Sequence, residues 1–589
     1  MQIKDGDYKL VEKILLGDGQ FNSKQREFID LNESKTIVAG PGAGKTTALA
    51  AKIALLLKNL SSSNSKEGVC IITHTNVAVN EINNVLNKAG VGNVNHPHFI
   101  GTIHEFFNRF CVIPFFKYKF KHNSLIIDKK HQSDFDYYIT FLGRNYPWMS
   151  KPQFNGVKNA IAERIQDSEL ILDKENNTVD LFNSTNWDKF EKYKVKMLEA
   201  KYSRKKQGFL THEDTFLFSS IFLLENRFKA VLRNRFKYVF LDEFQDTTPA
   251  GTELLEKLFG TEDNIYQKVG DPYQTITYNQ PMPDIDEQQV FRLNITNRFG
   301  NEIAEHLNII MPDANIQTYQ WKRSISPVIL LYKNEEEIYP EYKKIIKEYE
   351  KLDQTFNESS KEDKVLVLTR AWSSIVKKGV PYSEKKQVKL KSVNYILKSL
   401  IIDFIVKRIV LVEESLSEAK LWINNHHKLI QLNTILINVI KNGLTGTIKD
   451  ELKKLINELL QEKGAVSINV RNNIFNQVEA IFFNRQASKA EKNTDDIFTI
   501  HSVKGETLRS ALVVDFDDKP LTNILLHRYR VNDNENYLYT HHNLIYVAMS
   551  RVTHLFVFAM HIDVWSHKVK EKLETNWVIR EPEVETAVN

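Results

Sequence analysis

Along the chain, short apolar runs rich in β-branched and aromatic residues alternate with longer stretches whose apolar positions recur at helical spacing. Five runs fall at 36–38, 69–73, 238–241, 265–269 and 291–293, and five more at 328–332, 365–369, 497–500, 511–516 and 555–560. Strands alternating with helices predict parallel sheets covered on both faces. Two separate sets predict an α/β fold of two parallel-sheet lobes. Between the runs the texture changes. Residues 106–207 are aromatic and basic without a strand rhythm, and 373–494 read as helices at 394–410, 418–440 and 448–460. Each stretch interrupts a lobe that resumes after it. The expected division is 1–105 with 208–300 as the first lobe, interrupted by a mostly helical subdomain at 106–207. The second lobe is 301–372 with 495–589, interrupted by a helical subdomain at 373–494. The polar run 61–67 reads as a loop tip and 581–589 as a loose tail.

Length agrees with this division, since 589 residues exceed what one core holds. The 42% hydrophobic and 26% charged composition excludes collagen-like, disordered and coiled-coil classes. A net charge of +5 leans weakly toward a polyanionic partner. Two cysteines, Cys70 and Cys111, are too few for a disulfide scaffold or a zinc site, and Cys70 in its apolar run reads as a small buried hydrophobe. The N-terminus has no apolar leader and no uncharged run reaches the ~18 residues of a membrane span. The expectation is a cytoplasmic protein with no membrane partner.

The strand at 36–38 leads into Ala39-Gly40-Pro41-Gly42-Ala43-Gly44-Lys45-Thr46, and a helix opens at Thr47. Strand, glycine-rich turn, Lys-Thr and helix together make a P-loop. The glycines let backbone N–H groups turn around phosphate oxygens, and the helix N-terminus adds partial positive charge. Lys45 is placed for β and γ phosphates, and the Thr46 hydroxyl for a metal ion. The strand at 238–241 runs into Asp242-Glu243-Phe244-Gln245-Asp246. A carboxylate at a strand end can hold Mg²⁺, and its neighbour can polarise the attacking water. That assigns Asp242 to the metal and Glu243 to the general base.

At Asp242–Thr247 the sequence resembles the UvrD/Rep/PcrA group of superfamily-1 helicases, and further segments from about residue 21 to about residue 560 resemble that group's other motifs in order. The resemblance implies two RecA-like lobes closing on ATP and Mg²⁺. Phe21–Arg26 resembles the glutamine motif, which gives Gln25 to the adenine edge. Thr73-His74-Thr75-Asn76 and Gly101–Phe106 resemble motifs that touch the DNA backbone, which implies DNA contacts at Thr73, His74, Thr75, Asn76, Thr102 and His104. Val269–Ile276 resembles the coupling motif, with Gln274 sensing the γ-phosphate. The family's Trp-Arg platform is missing after it. Tyr273 and Tyr278 are the aromatic substitutes expected to stack bases. Leu293–Phe299 resembles the motif that carries a phosphate-binding arginine, here Arg298. Asn297 replaces the family's adenine-stacking tyrosine, and Phe299 is a candidate to compensate. Thr499–Thr507 resembles the fifth motif, which implies Glu506 or Thr507 at the ribose and His501 and Ser502 at DNA. Ile545–Arg551 resembles the sixth, with its helix starting after Asn543 and Arg551 facing the transferring phosphoryl group.

What the resemblance implies is an ATP-dependent 3′-to-5′ translocase or helicase acting on single-stranded DNA and single-strand/duplex junctions. Gly505-Glu506-Thr507 is similar to the helicase subunits of Gabija-type (GajB-like) anti-phage systems. That likeness brings in an OLD-family nuclease (GajA-like) as a partner. It also brings in a second activity, a DNA-stimulated ATPase that regulates the nuclease with little unwinding. Phage defence and DNA repair both stay open as settings. Aromatic-basic runs at 117–121 and 202–206 are either duplex contacts or solvated charge.

Overall fold

The computed structural model describes residues 5–63, 65–89, 94–121, 125–128, 131, 133–173, 175–183, 187–276, 282–283, 285–376, 378, 393–409, 419, 422–423, 426–479, 496–532 and 540–581. Two six-stranded sheets organise it. The first contains β1 (Lys35–Ala39), β2 (Gly68–Thr73), β3 (Phe99–Thr102), β4 (Phe236–Asp242), β5 (Ile265–Gly270) and β6 (Val290–Leu293), in the order β6-β1-β5-β4-β2-β3. The second contains β7 (Val328–Tyr332), β8 (Asp363–Val367), β9 (Ile497–Thr499), β10 (Leu508–Val514), β11 (Val552–His561) and β12 (Val578–Arg580), in the order β9-β8-β10-β11-β7-β12. Every pairing in both sheets is parallel. The fold is therefore α/β with two parallel-sheet lobes, as the periodicity predicts. All ten expected strands are present. The two that pattern reading misses, β3 and β12, are edge strands of four and three residues, too short to show a period.

In the first sheet β1, β5 and β4 are neighbours, so the loops leaving their carboxyl ends converge on one spot. The helix after β1 spans Lys45–Ser62 and takes Ser61 and Ser62 out of the expected loop tip. It is apolar nearly all round, with Ala48, Leu49, Ala50, Ala51 and Ile53 fully buried, because neighbours cover most of its faces. Cys70 and Cys111 are buried free thiols in the core on the opposite face of the sheet from this helix.

Within 106–207 the helices Asp134–Asn145, Asn155–Asp167 and Phe190–Lys206 are accompanied by an antiparallel hairpin, Ser168–Asp173 with Thr178–Asn183. Its first strand alternates for only about four residues, which explains why no strand rhythm is visible there. Within the helix expected over 418–440, the described residues 419 and 422–423 are helical, a turn interrupts at His426–Lys428, and a helix runs from Leu429 to Asn442. The His426 ring accepts from the Lys428 backbone N–H at 3.2 Å and pairs with Glu462 at 2.9 Å, a local bond that competes with helix continuation. Among the described residues no helix is long and apolar enough to cross a membrane.

The run 202–206 is half interior, not a solvated charge surface. Lys205 pairs with Asp214 at 2.7 Å with both side chains buried, and Arg204 pairs with Asp134 at 2.9 Å. Asp214 also accepts from the Thr211 backbone N–H at 2.6 Å, which caps the helix His212–Phe222. Asp214→Ala would strand the Lys205 ammonium and is expected to cost about 3–5 kcal/mol, read as a lower denaturation midpoint. The Asp214→Leu/Lys205→Met double variant should recover most of that loss. The other run stays outside: Tyr118 is exposed, between the Lys121 and Arg227 cations.

A candidate nucleotide site between the two sheets

β1 ends at Ala39, and the next N–H, of Gly40, donates to Leu293 O at 2.8 Å. Beyond Pro41 the loop turns through Gly42 (φ 76°) and Gly44 (φ 74°), where a side chain would be strained. A Cβ at Gly42 would collide with Thr296 Oγ1 and Arg298 Cβ, so the loop lies directly against the Arg298 segment. Thr296 Oγ1 donates to Pro41 O at 2.7 Å and Asn297 N to Gly42 O at 2.9 Å. The helix then starts at Lys45 with no side-chain cap on Gly44, which leaves the N–H groups of Lys45, Thr46 and Thr47 as donors at its positive end.

Gln25 is buried beneath this loop. Its Nε2 donates to Ala43 O at 2.9 Å, and its Oε1 accepts from Asn22 N at 3.0 Å in a capping box. The amide thus braces the loop's backbone, where a free amide facing a base was expected.

Lys45 pairs with Asp242 at 3.1 Å and more closely with Glu243. Burial works against its charge, but the two carboxylates outweigh burial and push the ammonium above its ordinary range. Burial would also raise Glu243. The Lys45 charge and hydrogen bond, with the Gln245 amide and Lys504, hold it down at about 2, so it stays ionised. Glu243 has a left-handed backbone (φ 52°), a costly conformation for a residue with a side chain. Burial raises Asp242, and its Oδ1 is buried with no hydrogen-bond donor, touched only by the Lys45 ion pair. An open anionic oxygen at a strand end, with the Thr46 hydroxyl at the helix start, fits Mg²⁺. That ion takes one or two protein oxygens and fills its shell from phosphates and water.

The second sheet supplies the opposite wall. The helix Thr540–Ser550 is followed by Arg551, which is 2% exposed and donates to Gln274 Oε1 at 3.0 Å. This helix starts before Asn543, not after it, because Asn543 is needed inside: fully buried, it donates to Thr275 O at 2.7 Å. Gln274 donates to Asp271 at 2.8 Å, and the Tyr546 hydroxyl donates to the same carboxylate at 3.2 Å. Burial lifts Asp271 to about 6. Arg298 reaches across to Ser550 O at 2.7 Å. Burial, and then the nearby Arg551 charge, lower Arg298 to about 9, and burial lowers Arg551 too. Neither guanidinium has an ion-pair partner among the described residues. Glu243 is close enough to act on Arg551 through its charge, so Lys45, Glu243, Gln274, Arg298 and Arg551 belong to one cleft.

Three successive backbone carbonyls of the β5 loop are each gripped by a different side chain of the second lobe. Lys504 binds Gln274 O at 2.9 Å, Asn543 binds Thr275 O, and His501 binds Ile276 O at 3.0 Å. Lys504 also pairs with Asp246 at 2.5 Å. Glu506 is committed to Lys364 at 2.6 Å, beside this seam.

His74, Thr75, Thr102 and His104 line a second cleft, of about 1550 Å³, together with the hairpin and the helix His212–Phe222. Thr75 and Thr102 cap the helices that follow them, accepting from Ala78 N and Glu105 N at 3.2 Å. The His104 ring lies 4.9 Å from Phe216 and 5.7 Å from His212, centroid to centroid. Burial, and then the His212 and His74 charges, lower His104 and keep it neutral. His212 and Phe216 were not legible as site residues, since nothing in their own segment marks them.

Several expected DNA contacts fall elsewhere. Thr73 is fully buried, with its hydroxyl donating to Thr75 O at 3.0 Å, so it faces no ligand. Tyr273 is 4% exposed and packs edge-on against Tyr546 at 6.1 Å in the core joining the lobes; it offers no open face for stacking. Phe299 is likewise fully buried in that core. Tyr278 and the side chain of Asn76 lie outside the described residues, as do 277–280 and most of the expected tail. His501 and Ser502 are exposed on the second lobe, away from the His74 cleft.

Residues 21–279 match the family model described as the UvrD/REP helicase N-terminal domain. The ATP-dependent DNA helicase srs2 of Schizosaccharomyces pombe is 28% identical over 321 residues, 50% of this chain and 35% of that protein. The probable DNA helicase II homolog of Mycoplasma capricolum is 25% identical over 287 residues, 48% of this chain and 37% of that protein. The chain spans little more than a third of the length of the curated relatives it matches.

Proposed function

We propose that this chain, whose residues 21–279 match the UvrD/REP helicase N-terminal domain, hydrolyses ATP and uses the energy to move along single-stranded DNA in the 3′-to-5′ direction. The observation that carries the reading is the pair Arg298–Arg551, two guanidiniums from different parts of the chain, Arg298 half-buried against the P-loop and Arg551 buried beside Gln274, neither with an ion-pair partner among the described residues. A triphosphate supplies the missing negative charge. Backbone N–H groups of the loop and helix start cradle it, and Lys45 moves from the carboxylates to its terminal phosphates. Thr46 and Asp242 would hold Mg²⁺, which would supply positive charge to the phosphate oxygens. Glu243, released from Lys45 and ionised, takes a proton from the attacking water. Arg551 and Arg298 meet the spreading charge of the transferring group, and Gln274, bonded to both Arg551 and Asp271, reports its presence to the seam.

The cleft closes on triphosphate more tightly than on products, so each turnover shifts the lobes between closed and open populations. DNA lying along the His74–His104 cleft and across to His501 and Ser502 is gripped alternately by the two lobes. Its backbone is held by hydroxyls, imidazoles and helix starts without reading bases. Residues 106–207 and 373–494 act as insertions that meet the duplex or a partner.

One observation favours a second activity. Tyr273 is buried, so the coupling loop presents no ring for stacking among its described residues. That suits a DNA-stimulated ATPase that regulates a partner nuclease of the OLD family in phage defence, with little unwinding of its own. Two assays separate the readings: ATP turnover with and without single-stranded DNA, and strand displacement on duplexes with 3′ or 5′ tails. DNA-stimulated turnover with displacement from 3′ tails alone is the expected result. Stimulation without displacement supports the regulatory activity, and turnover indifferent to DNA sinks both.

A further inference from the structure

The base of the bound nucleotide must leave the phosphates on the side away from hydrolysis. Asp242 and the Asp271–Gln274 loop follow β4 and β5, on one side of β1. On the other side is β6, which leads into the segment Asn294–Arg298 that lines the P-loop. The helix Ser23–Asp30, with Gln25 at the loop, packs on this same side, with Phe28 and Phe291 rings 6.4 Å apart. The base therefore emerges among Asn22, Gln25 and Asn297. None of these is aromatic, and Phe299 is sealed in the core.

One aromatic pair does reach this place. Ile295 and Thr296 pair in parallel with Gln317 and Thr318, so the chain just beyond is carried to the mouth of the P-loop. Tyr319 follows, and its hydroxyl accepts a hydrogen bond from Asn22 Nδ2 at 2.9 Å, three residues from Gln25. Trp321 stacks on Tyr319 with centroids 5.7 Å apart and planes at 25°. It is 70% exposed, and Lys322 lies 5.8 Å from its ring centre. A large ring stacked from behind, ordered through a hydrogen bond and left open in front, is what a flat heteroaromatic ligand requires.

We infer that Trp321, backed by Tyr319, is the stacking surface for the purine base of the nucleoside triphosphate, in place of a ring on the Arg298 segment. The inference rests on the nucleotide reading of the P-loop cleft. Trp321 touches only the base, which does not change during hydrolysis, so it contributes equally to substrate and transition state. Its loss raises KM without lowering kcat.

The test compares the full-length protein with Trp321→Ala and Trp321→Phe, measuring binding of ATP, of inorganic tripolyphosphate and of single-stranded DNA, together with DNA-stimulated kcat and KM. Expected for Trp321→Ala is ATP binding weaker by about tenfold. Tripolyphosphate binding, DNA binding and kcat should stay as in the parent, with Trp321→Phe between the two. Unchanged ATP affinity overturns the inference. So does an equal loss for ATP and tripolyphosphate, or a loss confined to DNA, which would make Trp321 a DNA contact. A parent protein that binds neither ATP nor tripolyphosphate fails differently, since it removes the nucleotide reading itself.

Discussion

Arg551→Ala is expected to bind ATP and fail to hydrolyse it, with turnover down by about 10³-fold or more, the scale on which an arginine facing a transferring phosphoryl group acts. The structure says why binding should survive. Lys45, the loop N–H groups and Arg298 are untouched, and the Arg551 guanidinium bonds to Gln274, Ser550 and Val547 O but to nothing on the P-loop. The variant also frees Gln274 Oε1, so the link from the cleft to Asp271 loses its charged end. Nucleotide binding by equilibrium titration, with single-turnover hydrolysis, separates the two effects. Equal loss of binding and hydrolysis would place Arg551 in ground-state binding instead.

Lys45→Ala should abolish turnover, by at least about 10³-fold, while DNA binding remains. Here stability also changes. Lys45 is the ammonium paired with both Asp242 and Glu243, and Asp242 has no other partner for Oδ1. Removing one side of a buried pair costs about 3–5 kcal/mol. Lys45→Ala should therefore melt earlier than the parent in the absence of nucleotide, whereas Arg551→Ala, which removes one of two mutually repelling cations, should not. A Lys45→Ala protein with normal turnover would defeat the site assignment.

What could be read without coordinates was whatever a short segment determines by itself. The glycines at 42 and 44, the Lys-Thr pair and a strand-end carboxylate are local requirements of phosphate chemistry, and the structure places them in one cleft with Gln274, Arg298 and Arg551. What could not be read depended on distant chain. Tyr273 looks available until the helix carrying Tyr546 packs over it. Gln25 looks like a free amide until Ala43 and Asn22 use both ends. Glu506 looks ready for a sugar until Lys364 arrives from β8. The bond between Asn22 and Tyr319 spans 297 residues, and no periodicity encodes it. The hairpin at 168–183 and the edge strands were missed for a simpler reason, since too few alternating positions stand above the noise.

The grip of Lys504, Asn543 and His501 on three consecutive peptide oxygens has a consequence for how this joint tolerates change. Peptide oxygens are the same whatever residue carries them. The identities at 275 and 276 can therefore drift without unfastening the hinge, whereas the three clasping side chains cannot. Divergence should fall at 275 and 276 within what their buried places accept, and spare Lys504, Asn543 and His501.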